Sequence, residues 1–301
     1  MSFNMNLSKI SEDSLQRAHR LWVDYGILWL GAILVGLIAV LYARAIDYAF
    51  DIFRSVQHAH SWAPLFLTPA ISALCVWLTR RFFAGSEGSG IPQVIATLGG
   101  NTAERGLSLL SLRVMAGKLG LSILAITGGL TIGREGPTVQ IGAAIMFNLR
   151  RLYPTINAAM ERRLILAGAA AGLAAAFNTP LAGVVFAIEE LSRSFEQRAS
   201  GVVITTIIFA GIVALGLTGN YTYFGTILVV NEASGKLILA VIATALLTGC
   251  AGGVFCWLLL NTQRWMPAPV QILRKERPVA FAAACGLAVA LIGLLAGGMT
   301  F

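Results

Sequence analysis

Along the chain, long apolar runs alternate with short polar connections, and run length separates two kinds of element. Ile27 to about Phe53, Pro64 to Leu78, Arg113 to Leu130, Val202 to Leu217, Leu237 to Leu260 and Val279 to Leu295 predict helices on the scale of a bilayer, whose hydrocarbon core takes about 20 residues to cross. Other runs are too short to cross or are broken inside. Between Pro92 and the pair Gly99-Gly100 lies a stretch that reads as a half-helix begun by Pro92 and capped by Ser89. The run from Arg113 enters the paired glycines Gly128-Gly129, crosses Arg134-Glu135 and restarts as a helix at Gly136-Pro137 that extends to about Leu149. A third run, from Leu164 to Phe177, is split by Thr179-Pro180 from a segment that closes on Glu189-Glu190.

Each internal restart has a chemical consequence. The first backbone N–H groups of a helix have no intrahelical acceptor, and with the macrodipole they form a place that attracts anions. Glu135 is a tethered anion at such a place, in the middle of an apolar region. Ser89 has two readings, an ordinary N-cap in a loop or, with the nearby N–H groups, part of an anion site at a discontinuous helix. Lys118 lies inside an apolar run, where an ammonium must face protein or a water-filled path. A structural ion pair and a source of positive potential beside an anion pathway both fit it. Glu190, beside Glu189, is either a solvated helix end or a proton acceptor at the mouth of a pathway.

Composition identifies the solvent as lipid. Hydrophobic residues make up 57% of 301 and charged residues 12%, with a mean hydropathy of +0.77, whereas soluble domains carry about 25% charged residues. The expectation is an all-α, polytopic integral membrane protein. The net charge of +8 comes largely from basic pairs between runs, Arg80-Arg81, Arg150-Arg151 and Arg162-Arg163. The positive-inside bias assigns these to the cytoplasmic face, and no nucleic-acid partner is expected. Residues 1–22 are polar and mildly amphipathic without a signal-peptide pattern, so a cytoplasmic N-terminal segment is expected. Cys75, Cys250, Cys256 and Cys285 sit in apolar runs and are expected to be small buried hydrophobes without disulfides. His58 and His60 have no further Cys, His or paired carboxylate nearby, so no metal site is expected.

Gly88-Ser89-Gly90-Ile91-Pro92, then Gly133-Arg134-Glu135-Gly136-Pro137, then Gly168 through Asn178 to Glu190 follow one another in an order and spacing that resemble the signatures of the CLC family of chloride channels and anion/proton exchangers. The resemblance covers roughly residues 85 to 200. It implies a homodimer of bacterial inner-membrane subunits, each with its own pore built from two inverted-topology halves of broken and half-spanning helices. Residues 23–220 would be the first repeat and 221–301 the opening helices of the second. The family's later Gly-x-Phe-x-Pro motif and late tyrosine have no counterpart, so a second repeat cut short is expected. By position, Ser89, Gly90 and Ile91 with Arg134, Glu135 and Gly136 match the anion-binding segments. Ser89 matches the serine that coordinates the central anion and favours chloride over nitrate. Glu135 matches the gating glutamate, Lys118 a basic residue before that gate, and Glu190 the inner glutamate of proton-coupled members. Chloride and protons would be substrates, lipid and a second copy the partners, and no cofactor is implied.

The acidic residue at 190 favours a secondary active chloride/proton antiporter with Glu135 as gate and proton acceptor. The alternatives are a passive voltage- or pH-gated chloride channel and an inactive truncated half. An intramembrane enzyme using Ser89, Lys118 or Glu135 is not expected, since there is no His-Glu-x-x-His motif and no His close to Ser89 in sequence.

Overall fold

The structure, a computed structural model, describes residues 3–100, 102–153, 156–191, 201–219 and 235–296, and among them every regular element is helical. Five helices are long and apolar enough to cross a membrane among the described residues, in Tyr25–Ala59, Pro64–Phe82, Leu107–Thr127, Leu237–Trp265 and Pro278–Leu295. The protein is an integral, multi-pass membrane protein. Helix α1 runs without a break from Phe3 to Ala59, so no interruption marks the end of the segment 1–22.

Two helices form the centre, α6 (Glu135–Leu149) and α7 (Ala158–Phe177). All of α6 from Pro137 to Phe147 is buried, and so is α7 from Leu164 to Gly172. Lipid tails are as apolar as leucine, so helices in a membrane gain by packing closely rather than by escaping water, and small residues permit that. Gly142 and Gly168 face one another so tightly that a Cβ on either would collide with the carbonyl oxygen of the other, while one on Gly172 would strike the Thr138 carbonyl. Around this pair lie α1, α5 (Leu112–Thr127) and the helix that follows the break at Pro180.

That break falls where expected. Asn178 ends α7 in the left-handed region at φ 56°, which asparagine tolerates better than most residues. Pro180 then opens α8 (Pro180–Phe186), which runs into a π-helical turn, Ala187–Leu191. Helix α9 (Gly201–Thr218) packs on α1 and α7, and its C-terminal end is held by Arg44, which donates to Leu217 O at 2.9 Å, and by Asn178, which donates to Gly219 O at 3.1 Å.

The later helices are α10 (Gly235–Trp265), α11 (Ala268–Glu276) and α12 (Pro278–Leu295). Helix α12 packs along α2 (Pro64–Phe82), where the Ser72 hydroxyl donates to Ala282 O at 2.8 Å. No described residue buries the apolar length of α10. Cys250 and Cys256 on α10 and Cys285 on α12 are therefore exposed rather than buried, and Cys75 is half-buried; all are free thiols. Cys250, Cys256 and Cys285 remain apolar side chains, on surfaces that no described residue covers. The basic stretch 264–277, which its polarity suggests is a loop, holds the short helix α11. Pro267 at the N-cap and Pro269 in the first turn both suit a helical start, and no breaker follows before Arg277-Pro278.

Candidate functional site

Two helix starts meet in the interior. Helix α3 (Ile91–Leu98) is an isolated half-helix as its length predicts, but Ser89 does not cap it. The N-cap position falls on Gly90, at φ 109°, and carries no side-chain cap. A residue with a Cβ would be strained at that angle. It would also be obstructed, since a Cβ on Gly90 would lie 2.7 Å from Gly136 O, and one on Gly136 would lie 2.6 Å from Ser89 O. The backbones of the Ser89-Gly90 segment and of the first turn of α6 are thus in direct contact, with the Ser89 side exposed and Gly90 buried.

Glu135 is the first residue of α6, one position earlier than the sequence suggests, with Arg134 at the N-cap. Helix α5 ends in a closed turn through Gly128 and Gly129, with Leu130 N–H on Ala125 O at 3.0 Å. This frees Thr131–Gly133 to run as an exposed, non-helical link into α6. The Glu135 carboxylate folds back over that link, its Oε2 3.3 Å from where a Cβ on Gly133 would stand. Arg134 aims elsewhere, to Asp47 of α1 at 3.2 Å, so its guanidinium joins an ion pair and its backbone is what faces the site. The structure therefore gathers Ser89, Gly90, Ile91, Glu135 and Gly136, and turns the Arg134 side chain toward α1.

Lys118, only 3% exposed, is held by carbonyl groups. Its Nζ donates to Gly88 O at 2.8 Å and to Glu87 O at 3.4 Å. The ammonium thus sits directly behind Ser89 and fixes the segment that presents it. Lys118→Met leaves those carbonyls without their donor and is expected to destabilise the protein by about 1–3 kcal/mol. A lowered thermal midpoint in detergent checks this, and an unchanged midpoint would show that the segment holds itself.

Gln140, 1% exposed, is a residue that the sequence reading passed over. From α6 its Nε2 donates to Leu109 O at 2.9 Å and Gly85 O at 3.3 Å, tying α6 to the loop before α3 and to the last residue of α4 (Thr102–Leu109). An amide inside an otherwise apolar helix was the available signal, because polar groups in lipid must find partners. Glu189 and Glu190 lie exposed on the π-helical turn, lining a groove of about 640 Å³ with Thr179, Leu181, Val185 and Phe186. That turn touches α3. Among the described residues no cluster of His, Cys, Asp or Glu could hold a metal ion.

Comparison with known proteins decides the family. A profile described as the voltage gated chloride channel family matches residues 71–300. The chain belongs to that family. A relative called H(+)/Cl(−) exchange transporter ClcA, from Salmonella arizonae, is 31% identical over 250 residues, 76% of this chain and 49% of the relative. The protein of the same name from Salmonella typhimurium is 31% identical over 260 residues, 79% of this chain and 51% of the relative. This chloride channel family member thus spans about half the length of the curated relatives it matches. Its fold is that of CLC transporters. The structure of a slow cyanobacterial Cl−/H+ antiporter aligns with TM-score 0.71 and 24% identity over 89% of this chain and 64% of that one. A CLC-type fluoride/proton antiporter aligns with TM-score 0.70 and 21% identity over the same shares.

Proposed function

We propose that this chain carries an anion-handling part of a chloride/proton exchanger, in which one site serves a chloride ion and the Glu135 carboxylate in turn. The contact between the two helix starts carries this reading: the Ser89 and Gly136 backbones touch, and the first residue of α6 is a carboxylate. Two first turns converge, so their positive ends act on the same small volume. An anion held there competes with Glu135 for the same donors. A proton on Glu135 cancels its charge and leaves those donors to chloride, which makes proton and chloride mutually exclusive. Ser89 contributes a hydroxyl, Gly90, Ile91 and Gly136 contribute backbone, and Lys118 adds positive charge behind Ser89. The names of the relatives support chloride and protons as the pair exchanged. Orientation follows from Arg80-Arg81 at the end of α2 and Arg150-Arg151 after α6, which we assign to the cytoplasm together with the N-terminus. A homodimer is the proposed assembly.

The test is chloride-driven proton movement in liposomes reconstituted with the purified protein. Protons moving uphill against a chloride gradient is the expected result. Chloride flux without protons would replace exchange by passive conduction, and no flux of either would remove the reading for this chain. Glu190 is the proposed first proton acceptor from the inner side, because it is exposed on a turn that touches α3. Glu190→Gln is expected to slow proton movement by about a hundredfold or more, in the range removed with a general acid or base, with chloride flux retained. Coupling that survived in this variant would put the acceptor elsewhere.

A further inference from the structure

Helix α3 has eight residues, about 12 Å at 1.5 Å per residue. So short a helix is unstable on its own and must be held at its ends. Its N-terminal end has no side-chain cap, and lies against Gly136. The C-terminal end is gripped instead. Arg105 of α4 donates from Nη1 to Ala96 O at 2.8 Å, and Arg162 of α7 donates from Nη2 to Gly100 O at 3.2 Å. The Arg105 guanidinium lies across Gly100, its Cζ 2.5 Å from where a Cβ would stand, so any side chain at 100 would displace it. Glu161, the neighbour of Arg162, is taken up by Arg150.

We propose that Arg105 and Arg162 are positioning residues for the anion, acting through α3. The proposal rests on the reading that the α3 start is part of the chloride site. Two cations cover the negative end of the α3 dipole and leave its positive end, at Ser89-Gly90, unopposed. They come from two different elements, α4 and α7. The pair adds positive potential some 12 Å or more from the anion; Arg162 is half-buried, and Arg105, which is exposed, is the more screened of the two.

The experiment is chloride calorimetry on the purified protein, comparing wild type, R105Q/R162Q and R105K/R162K, with thermal midpoints measured in chloride-free buffer. Glutamine keeps a donor and removes the charge; lysine keeps the charge. Chloride binding is expected to weaken about tenfold in R105Q/R162Q and to stay within about twofold of wild type in R105K/R162K, with similar chloride-free midpoints, as a charge effect through the helix requires. Wild-type affinity in R105Q/R162Q would overturn the proposal. Equal losses in both pairs, or a midpoint of R105Q/R162Q that falls with no chloride present, would make the arginines structural and overturn it as well. No binding heat even in wild type would instead remove the chloride reading beneath it.

Discussion

Glu135→Gln is expected to reduce proton movement to the level of protein-free liposomes while chloride continues to cross. Glutamine preserves the size of the side chain and its place in the first turn of α6, but offers no carboxylate to take up a proton at neutral pH. It also removes the tethered negative charge that competes for the converging helix starts. The paired measurement is chloride efflux and proton uptake from the same liposomes. Proton uptake that remained coupled in this variant would move the acceptor away from Glu135, whatever chloride did.

Gly168→Ala is expected to be among the most damaging single-methyl changes at the described glycines. The new Cβ would collide with Gly142 O and crowd Met146 Cγ at 2.7 Å, so α6 and α7 would have to move apart. Since α6 carries Glu135 and Gly136 at its start, the separation would reach the site. Overpacking of this kind costs about 3 kcal/mol at the upper end of its usual range, or a thermal midpoint lower by about 5–10 °C. Gly249→Ala on α10 is the matched control, because nothing lies within 4 Å of a Cβ there. The control is expected to unfold as wild type does. Equal effects at 168 and 249 would mean that the α6–α7 contact is not close.

Much of the architecture is written in local chemistry. Pro92 and Pro180 mark helix starts, Gly128-Gly129 marks a helix end, and the shortness of the stretch before Gly99 marks a half-helix; each is decided by a few adjacent residues. The helix starts are legible because proline lacks the N–H that a first turn does not use. Ser89 was misread as a cap because the chain reverses at Gly90, and a positive φ there takes the serine out of capping position. Partners far along the chain were not legible. Nothing near Lys118 announces that it will bind the carbonyls of 87 and 88, and nothing near Arg134 names Asp47. Such pairings follow from which helix faces come together, and the sequence of one helix carries no record of its neighbour. The exposure of Cys250, Cys256 and Cys285 has the same origin.

The packing of α12 on α2 has a consequence for synthesis. Ser72 and its partner Ala282 are 210 residues apart, and a ribosome adding about 5–20 residues per second takes about 10 to 40 s to cover that interval. Through that wait the face of α2 that carries Thr68 and Ser72 is without its helix, and two hydroxyls stand in lipid or in the insertion machinery. Assembly of the early helices is therefore provisional until translation has passed Gly286, whose missing side chain lets α12 settle against Thr68 and Pro69. Stalled translation within that interval should leave a nascent chain with α2 open to insertases and membrane proteases.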